Sequence, residues 1–312
     1  MLDVGQNGIL RDASLAYATW GALNDAGDNA VLLPSYYTGT HDHYAPLIGP
    51  GRALDSSRYF IIATNLFGNG VSTSPSHLVG PASFPYLTLE DNIRAQHVLL
   101  THLGVRRLAL AAGWSMGAMQ ALHWAMLFPE MVANVVAVCG TAFCWPVNAS
   151  FLLGVTSILE AVPQVEEQLA LGLFGRAYCG WAYSAEFFRD ARYRELGFAS
   201  LEELLDGWAR DHQAHRAADL LAVLQVWAGA ARPREAAIEC LRRITARCFL
   251  VPCESDHYFT ADDAAFEADA IANATLLPLA SAFGHCAGAP GRFPVESARI
   301  EAIMAQALTK AE

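Results

Sequence analysis

Positive charge is scarce in this chain. Its 312 residues carry 20 Lys and Arg against 31 Asp and Glu, a formal net charge of −11. The basic residues are scattered, with only short pairs such as Arg106–Arg107 and Arg242–Arg243. A nucleic-acid backbone or an anionic membrane surface needs a clustered cationic face, so neither is an expected partner. Long apolar runs are also missing. Gly, Pro or a polar residue breaks every stretch well short of the roughly 18 residues of a membrane span. The opening MLDVGQNGILRD lacks both the basic segment and the apolar stretch of a secretory leader. The 7 cysteines are odd in number and include no C-x-x-C. That usage excludes a disulfide framework and suggests reduced thiols packed as small apolar residues, in a cytoplasmic protein. There is no internal repeat and no low-complexity segment.

What is present is a chain built to bury a core: 54% hydrophobic residues and 16% charged. Short apolar runs read as strands at 15–21, 29–35, 59–68, 108–113 and 131–140. A helix is expected over 87–104, with Thr88 and Asp91 placed to cap it and Gly104 to close it. A second runs from Ser115 to about Phe128, where Pro129 stops it. The alternation lapses over residues 141–240, which show helical patterns and no convincing strand. It resumes with strands at 246–256 and 274–281 and helices near 262–272 and 294–308. The fold class is therefore α/β: a mostly parallel central sheet flanked by helices. Residues 1–140 and 241–312 would form the core, and 141–240 a helical lid inserted into it.

The strand at 108–113 meets the following helix at Gly113-Trp114-Ser115-Met116-Gly117, a G-x-S-x-G. In a strand–turn–helix setting this pattern puts serine on a sharp turn. The glycines remove the Cβ atoms that would keep strand and helix apart. The bland alternative is a helix N-cap serine between glycines. A nucleophilic serine needs a base, and the base needs an orienting acid. His285, between Gly284 and Gly288 after an apolar strand, is the candidate base. Asp256, just beyond the strand at 246–253, is the candidate acid, with Glu254, Asp262 and Asp263 as rivals. The order Ser115, Asp256, His285 is that of α/β hydrolases. An oxyanion hole would use the Met116 N–H and an N–H from the loop after the 29–33 strand, Tyr37 first and Tyr36 second. Tyr36, Trp114, Trp181 and Tyr183 are candidate pocket residues. The HDH at 41–43 reads as a loop and not as a metal site, because no further ligand sits at metal spacing. Cys286 reads as a packed thiol.

The segments AYATWGALN, TGTHDHY, FPYLTLEDNIRAQHVLL, GWSMGAMQALHWAMLFPE, SDHYFT and GHCAG together resemble the homoserine O-acetyltransferase branch of the α/β-hydrolase superfamily. That resemblance implies a triad of Ser115, Asp256 and His285 and an oxyanion loop at Ser35–Gly39. Departures accompany it. Trp114 and Ala118 replace glycines of the family's GGSMGG elbow, and Cys286-Ala287 follows the histidine in place of the family's residues. Ala182 stands where the family's lid arginine binds the amino-acid carboxylate. The expected activity is hydrolysis of small, acetyl-type esters through an acyl-serine. The alternatives are O-acetyl transfer from acetyl-CoA to an alcohol, elimination of a carboxylate by the same triad, and a non-catalytic ligand-binding fold. No metal or organic cofactor is expected, and acetyl-CoA would be a substrate only in the transfer case. The expected partner is a small acyl ester, with a homodimer possible.

Overall fold

The computed structural model describes residues 2–3, 9–10, 12–78 and 84–309. Strands β1 (Leu2–Asp3) and β2 (Ile9–Leu10) pair as a short antiparallel ribbon. The central sheet comprises β3 (Tyr17–Trp20), β4 (Ala30–Pro34), β5 (Phe60–Thr64), β6 (Leu108–Trp114), β7 (Asn134–Val138), β8 (Arg247–Val251) and β9 (Ala274–Leu276). Their order is β3-β5-β4-β6-β7-β8-β9, with β3 antiparallel to β5 and the remaining neighbours parallel. Parallel strands covered on both faces must be apolar throughout, and β4, Ala-Val-Leu-Leu-Pro, is buried at every position. Alternation sorts side chains between two cores. Val136 and Val138 of β7 join one, Val135 and Ala137 the other.

Helix α1 (Leu89–His102) starts where expected: Thr88 accepts from the Asp91 N–H, and the Asp91 carboxylate accepts from the Thr88 N–H. Helix α2 (Met116–Leu127) follows β6 and is buried along almost its whole length. Between β7 and β8 the chain forms α3 (Pro146–Glu160), α4 (Glu167–Ala182), α5 (Ala185–Arg189), α6 (Leu201–Gln213), α7 (Ala217–Ala228) and α8 (Arg234–Leu241), with no strand. Helices α9 (Ala261–Ala270) and α10 (Pro294–Leu308) complete the flanking layers. Among the described residues no helix is long and apolar enough to cross a membrane. The C-terminal ends of β4, β6, β8 and β9 converge on one rim of the sheet, through the pairings Leu32↔Ala111, Gly113↔Ala137, Val138↔Val251 and Leu250↔Leu276. Ligands of open parallel sheets bind at such a rim.

Candidate active site

Ser115 leaves β6 with φ 59° and ψ −127°. Positive φ is uncommon for a non-glycine residue, and such strain costs on the order of 1–3 kcal/mol. The surroundings enforce it. The Ser115 N–H donates to the Val138 carbonyl at 2.9 Å, while its own carbonyl accepts from Ala118 and Met119. A Cβ on Gly113 would lie 2.4 Å from the Gly117 backbone, and one on Gly117 would lie 2.5 Å from the Pro34 carbonyl. Both glycines are therefore required for strand, turn and helix to approach. Ser115 occupies the N-cap position, yet its hydroxyl makes no capping bond. The N-cap alternative thus fails, and the hydroxyl is left free for chemistry at a helix N-terminus.

Asp256 and His285 are in direct contact. His285 Nδ1 donates to Asp256 Oδ2 at 2.7 Å, and the Asp256 side chain is 0% exposed. The other carboxylate oxygen accepts from the Tyr258 and Phe259 N–H groups, each at 3.1 Å. Asp256 is thus held by its own loop and engages the imidazole with the remaining oxygen, which fixes the tautomer that leaves Nε2 as a proton acceptor. Glu254, Asp262 and Asp263 do not engage the ring; Asp263 caps α9 through Thr260. The ring is sandwiched by Tyr258 at 4.5 Å, Trp114 at 5.1 Å and Phe259 at 5.5 Å between centroids. Trp114 Nε1 donates to the His285 carbonyl at 3.0 Å, which ties the histidine loop to the residue preceding Ser115. Among the described residues Ser115 and His285 share no side-chain hydrogen bond. Catalytic contacts of this kind often tighten only with substrate bound.

In the loop after β4, Ser35 N–H bonds to the Thr64 carbonyl and Gly39 N–H to the Tyr36 carbonyl. Among the described residues no acceptor engages the N–H groups of Tyr36, Tyr37 or Met116. The Tyr37 side chain does not face the cleft beside the elbow. It stacks on Tyr178 at 5.4 Å, buried beneath the inserted helices.

That cleft, of about 410 Å³, is lined by Tyr36, Trp114, Trp208, His212, Cys286 and Arg292 among others. Tyr36 and Trp114 are placed as expected, with rings 4.5 Å apart. Trp181 and Tyr183 are not. Trp181 packs its ring on Phe151 at the end of α4 and is 37% exposed. Tyr183 lies behind the cleft wall, stacked on Phe187 at 4.0 Å and accepting from Arg292. Both follow from α4 ending at Ala182, where the backbone turns extended and throws consecutive side chains apart. The residues that surround Tyr258, and through it His285, are Phe151, Tyr178 and Trp227. A larger groove of about 800 Å³ lies elsewhere, between Arg192, Glu254, Phe283 and Glu296. Cys286 is buried and its thiol is pushed up to about 11 by that burial, so it stays protonated. HDH was expected as a loop but opens a short 3₁₀ helix (His41–Leu47): His43 accepts from the Thr40 N–H at its N-cap, and His41 contacts Asn65.

Sequence reasoning missed Gln96, Gln120 and Tyr44. Gln120 and Gln96 form a buried chain beneath the elbow, and the Tyr44 hydroxyl donates to the Pro34 carbonyl at 2.8 Å. The available signal was a glutamine on the buried face of each of two helices, beside Asn92 in α1 and His123 in α2.

A family described as alpha/beta hydrolase fold matches residues 29–168. The chain is 34% identical over 307 residues to an ethyl acetate hydrolase of Pseudomonas veronii, covering 91% of this chain and 86% of that one. It superposes on the structure of the acetyl esterase MekB with a TM-score of 0.91 at 32% identity, covering 97% of this chain and 93% of that one. It is also 40% identical over 155 residues to a homoserine O-acetyltransferase of Trichormus variabilis, but that match covers 46% of this chain and 43% of the relative.

Proposed function

The chain belongs to the alpha/beta hydrolase fold family, in a branch that includes acetyl-ester hydrolases and homoserine O-acetyltransferases, and from that premise we propose that it is an esterase acting on small, uncharged acetyl-type esters. Ser115 Oγ attacks the acyl carbon while His285 Nε2 takes its proton, and Asp256 holds the resulting imidazolium. The oxyanion sits on the N–H groups of Met116 and Tyr37. Collapse expels the alcohol, which receives its proton from His285. Water, activated by the same imidazole, then releases the carboxylic acid from Ser115. None of these steps draws on a cofactor, and residues 141–240 act as a lid over the site.

The observation that carries hydrolysis over transfer is the extent of the sequence likeness. It runs along nearly the whole chain for the ethyl acetate hydrolase and along less than half for the acetyltransferase. The aromatic surroundings of His285 agree with it, as does Ala182, a buried apolar residue where a carboxylate-binding arginine is expected in a transferase. Arg292 at the cleft wall is engaged with the Tyr183 hydroxyl at 3.0 Å, and the aromatic wall around His285 offers a zwitterion no partner for its carboxylate. The test is a steady-state comparison of ethyl or phenyl acetate with O-acetylhomoserine. The simple esters are expected to lead by at least about tenfold in kcat/KM, the scale of one missing charged contact. A preference for the amino-acid ester, or acetyl transfer from acetyl-CoA to an added alcohol faster than hydrolysis, would replace this reading with the acyltransferase one.

A further inference from the structure

Beneath the nucleophile turn lies a chain of side-chain hydrogen bonds whose members are all 0% exposed: Trp124, Gln96 and Gln120. Trp124 Nε1 donates to Gln96 Oε1 at 2.7 Å, and Gln96 Nε2 donates to Gln120 Oε1 at 2.7 Å. Gln120 Nε2 then donates to two backbone carbonyls, Ser35 at 2.7 Å and Met116 at 3.2 Å. The direction of the chain is fixed from both ends. Indole N–H can only donate, so Gln96 must present oxygen to Trp124 and nitrogen to Gln120. Carbonyls can only accept, so Gln120 must present nitrogen to Ser35 and Met116. Neither amide can flip without placing two like groups in contact twice.

The two carbonyls are not arbitrary. The Ser35 carbonyl and the Tyr36 N–H belong to one planar peptide, so pinning the oxygen on Gln120 aims that N–H the opposite way and fixes the course of the chain into Tyr37. The Met116 carbonyl belongs to the first turn of α2, whose opening N–H follows Ser115 directly. One side chain therefore grips both halves of the oxyanion hole, the loop after β4 and the start of α2. We propose that Gln120 is a positioning residue for catalysis: it holds the loop N–H donor and the Met116 N–H at the separation the tetrahedral oxyanion requires, while Gln96 with Trp124 satisfies its amide oxygen. This rests on the serine-esterase reading above.

The test uses p-nitrophenyl acetate and five purified proteins: wild type, Ser115→Ala, Gln120→Met, Gln120→Glu and Gln96→Met. Wild-type turnover that Ser115→Ala abolishes establishes the serine-esterase reading independently; its failure overturns that reading and the present one with it. Given turnover, Gln120→Met is expected to lower kcat by about 30- to 100-fold with KM changed by less than about threefold, the range for donors displaced by a fraction of an ångström. It should weaken binding of a trifluoromethyl ketone, which forms the oxyanion, by a similar factor. Gln96→Met removes two buried hydrogen bonds against the three of Gln120→Met, one step farther away. It should lower the melting temperature comparably but kcat by less than about threefold. Gln120→Glu keeps the shape and loses the donors. Its deficit relative to wild type should shrink as pH falls, because the protonated carboxyl can donate to the Ser35 carbonyl again. Equal losses of kcat in Gln120→Met and Gln96→Met, or a full kcat in Gln120→Met, would overturn the proposal.

Discussion

The rim of the sheet and the helices between β7 and β8 hold the same site by different means. At the rim the positions are set by backbone and buried polar bonds: the strained Ser115, the glycine contacts that enforce it, Asp256 between two N–H groups and the imidazole, and the glutamine chain under α2. Above it the positions are set by aromatic packing. Phe151 stacks on Tyr258 at 4.5 Å and meets Tyr178 edge-on at 4.8 Å, and Trp227 lies parallel to Phe259 at 5.2 Å. Few polar bonds tie the helices down. Asp219 accepts from the Ser76 N–H and hydroxyl, Ser184 Oγ donates to the Ala282 carbonyl, and Glu267 grips the chain at 142–145. Directional bonds define where atoms are, and non-directional packing defines how much room is left. The rim should accordingly govern rate, and the inserted helices should govern which ester fits.

Changes at the rim should break the chemistry while sparing the fold. Ser115→Ala is expected to reduce turnover by at least about four orders of magnitude, because it removes the group that forms the covalent bond. The melting temperature should stay within about 3 °C, since a small side chain on a tight turn contributes little packing. Retention of more than about a hundredth of wild-type activity would remove Ser115 from the mechanism. Asp256→Asn should cost roughly three to four orders of magnitude in kcat. An amide in that position still accepts from Tyr258 and Phe259 but presents NH₂ to His285 Nδ1, which forces the proton onto Nε2, where Ser115 needs a lone pair. Near-normal turnover would move the acid to Glu254 or Asp262.

A change in the inserted helices should alter selection more than rate. Phe151→Ala empties the space against Tyr258 and Tyr178. The fold should lose about 3–5 kcal/mol in denaturant titrations. The kcat/KM ratio of ethyl butyrate to ethyl acetate should rise by about tenfold, the scale for one or two methylenes in an apolar pocket. An unchanged ratio would mean that these aromatics do not border the acyl group.

The same contrast explains how much the sequence discloses. Around the sheet, strand, turn and cap each leave a local signature: apolar runs, paired glycines, Thr88 three residues before Asp91. The predicted elements accordingly appear near their expected bounds, except that the strands expected at 246–256 and 274–281 end five residues early, at Val251 and Leu276. Asp256 and His285 were legible because each lies in the loop that follows an apolar run, although β8 and the partly buried β9 end well short of them. Residues 141–240 were legible only as helical, since helix periodicity does not say which neighbour a face meets; Trp181 and Tyr183 were misplaced for that reason. Gln96 and Gln120 escaped because a glutamine in a helix looks alike whether it joins a buried hydrogen-bond chain or reaches solvent. The β1–β2 ribbon escaped because two-residue strands are shorter than any hydrophobic period.

The smallest expected effect lies on the boundary between the two regions. Where the chain leaves the core, the peptide at Ala142 is gripped from both sides. Its N–H donates to the Glu267 carboxylate, and its carbonyl accepts from His123 Nε2 at 2.9 Å. Burial raises the Glu267 carboxyl from 4.5 to about 7, against the opposing pull of the Ala142, Trp145 and Phe143 donors. Burial lowers the His123 imidazole from 6.5 to about 4, the Ala142 carbonyl opposing and Arg232 assisting. Glu267 binds its proton more tightly folded than unfolded, so its contribution is full below about pH 4.5 and is lost as pH rises through about 7. His123 binds its proton less tightly folded, so its contribution is full above about pH 6.5 and is lost as pH falls through about 4. Between pH 4.5 and 6.5 the two slopes oppose and nearly cancel. Glu267→Gln should unmask the histidine: relative to wild type, its unfolding free energy should climb across that window by on the order of 1–3 kcal/mol. His123→Gln should show the opposite trend, losing stability relative to wild type as pH rises. Urea titrations at pH 4.5, 5.5 and 6.5 read both differences, in which every titration shared with wild type drops out. Differences that stay level across the three pH values would mean that neither group changes its proton affinity on folding, and that the grip on Ala142 is hydrogen bonding alone.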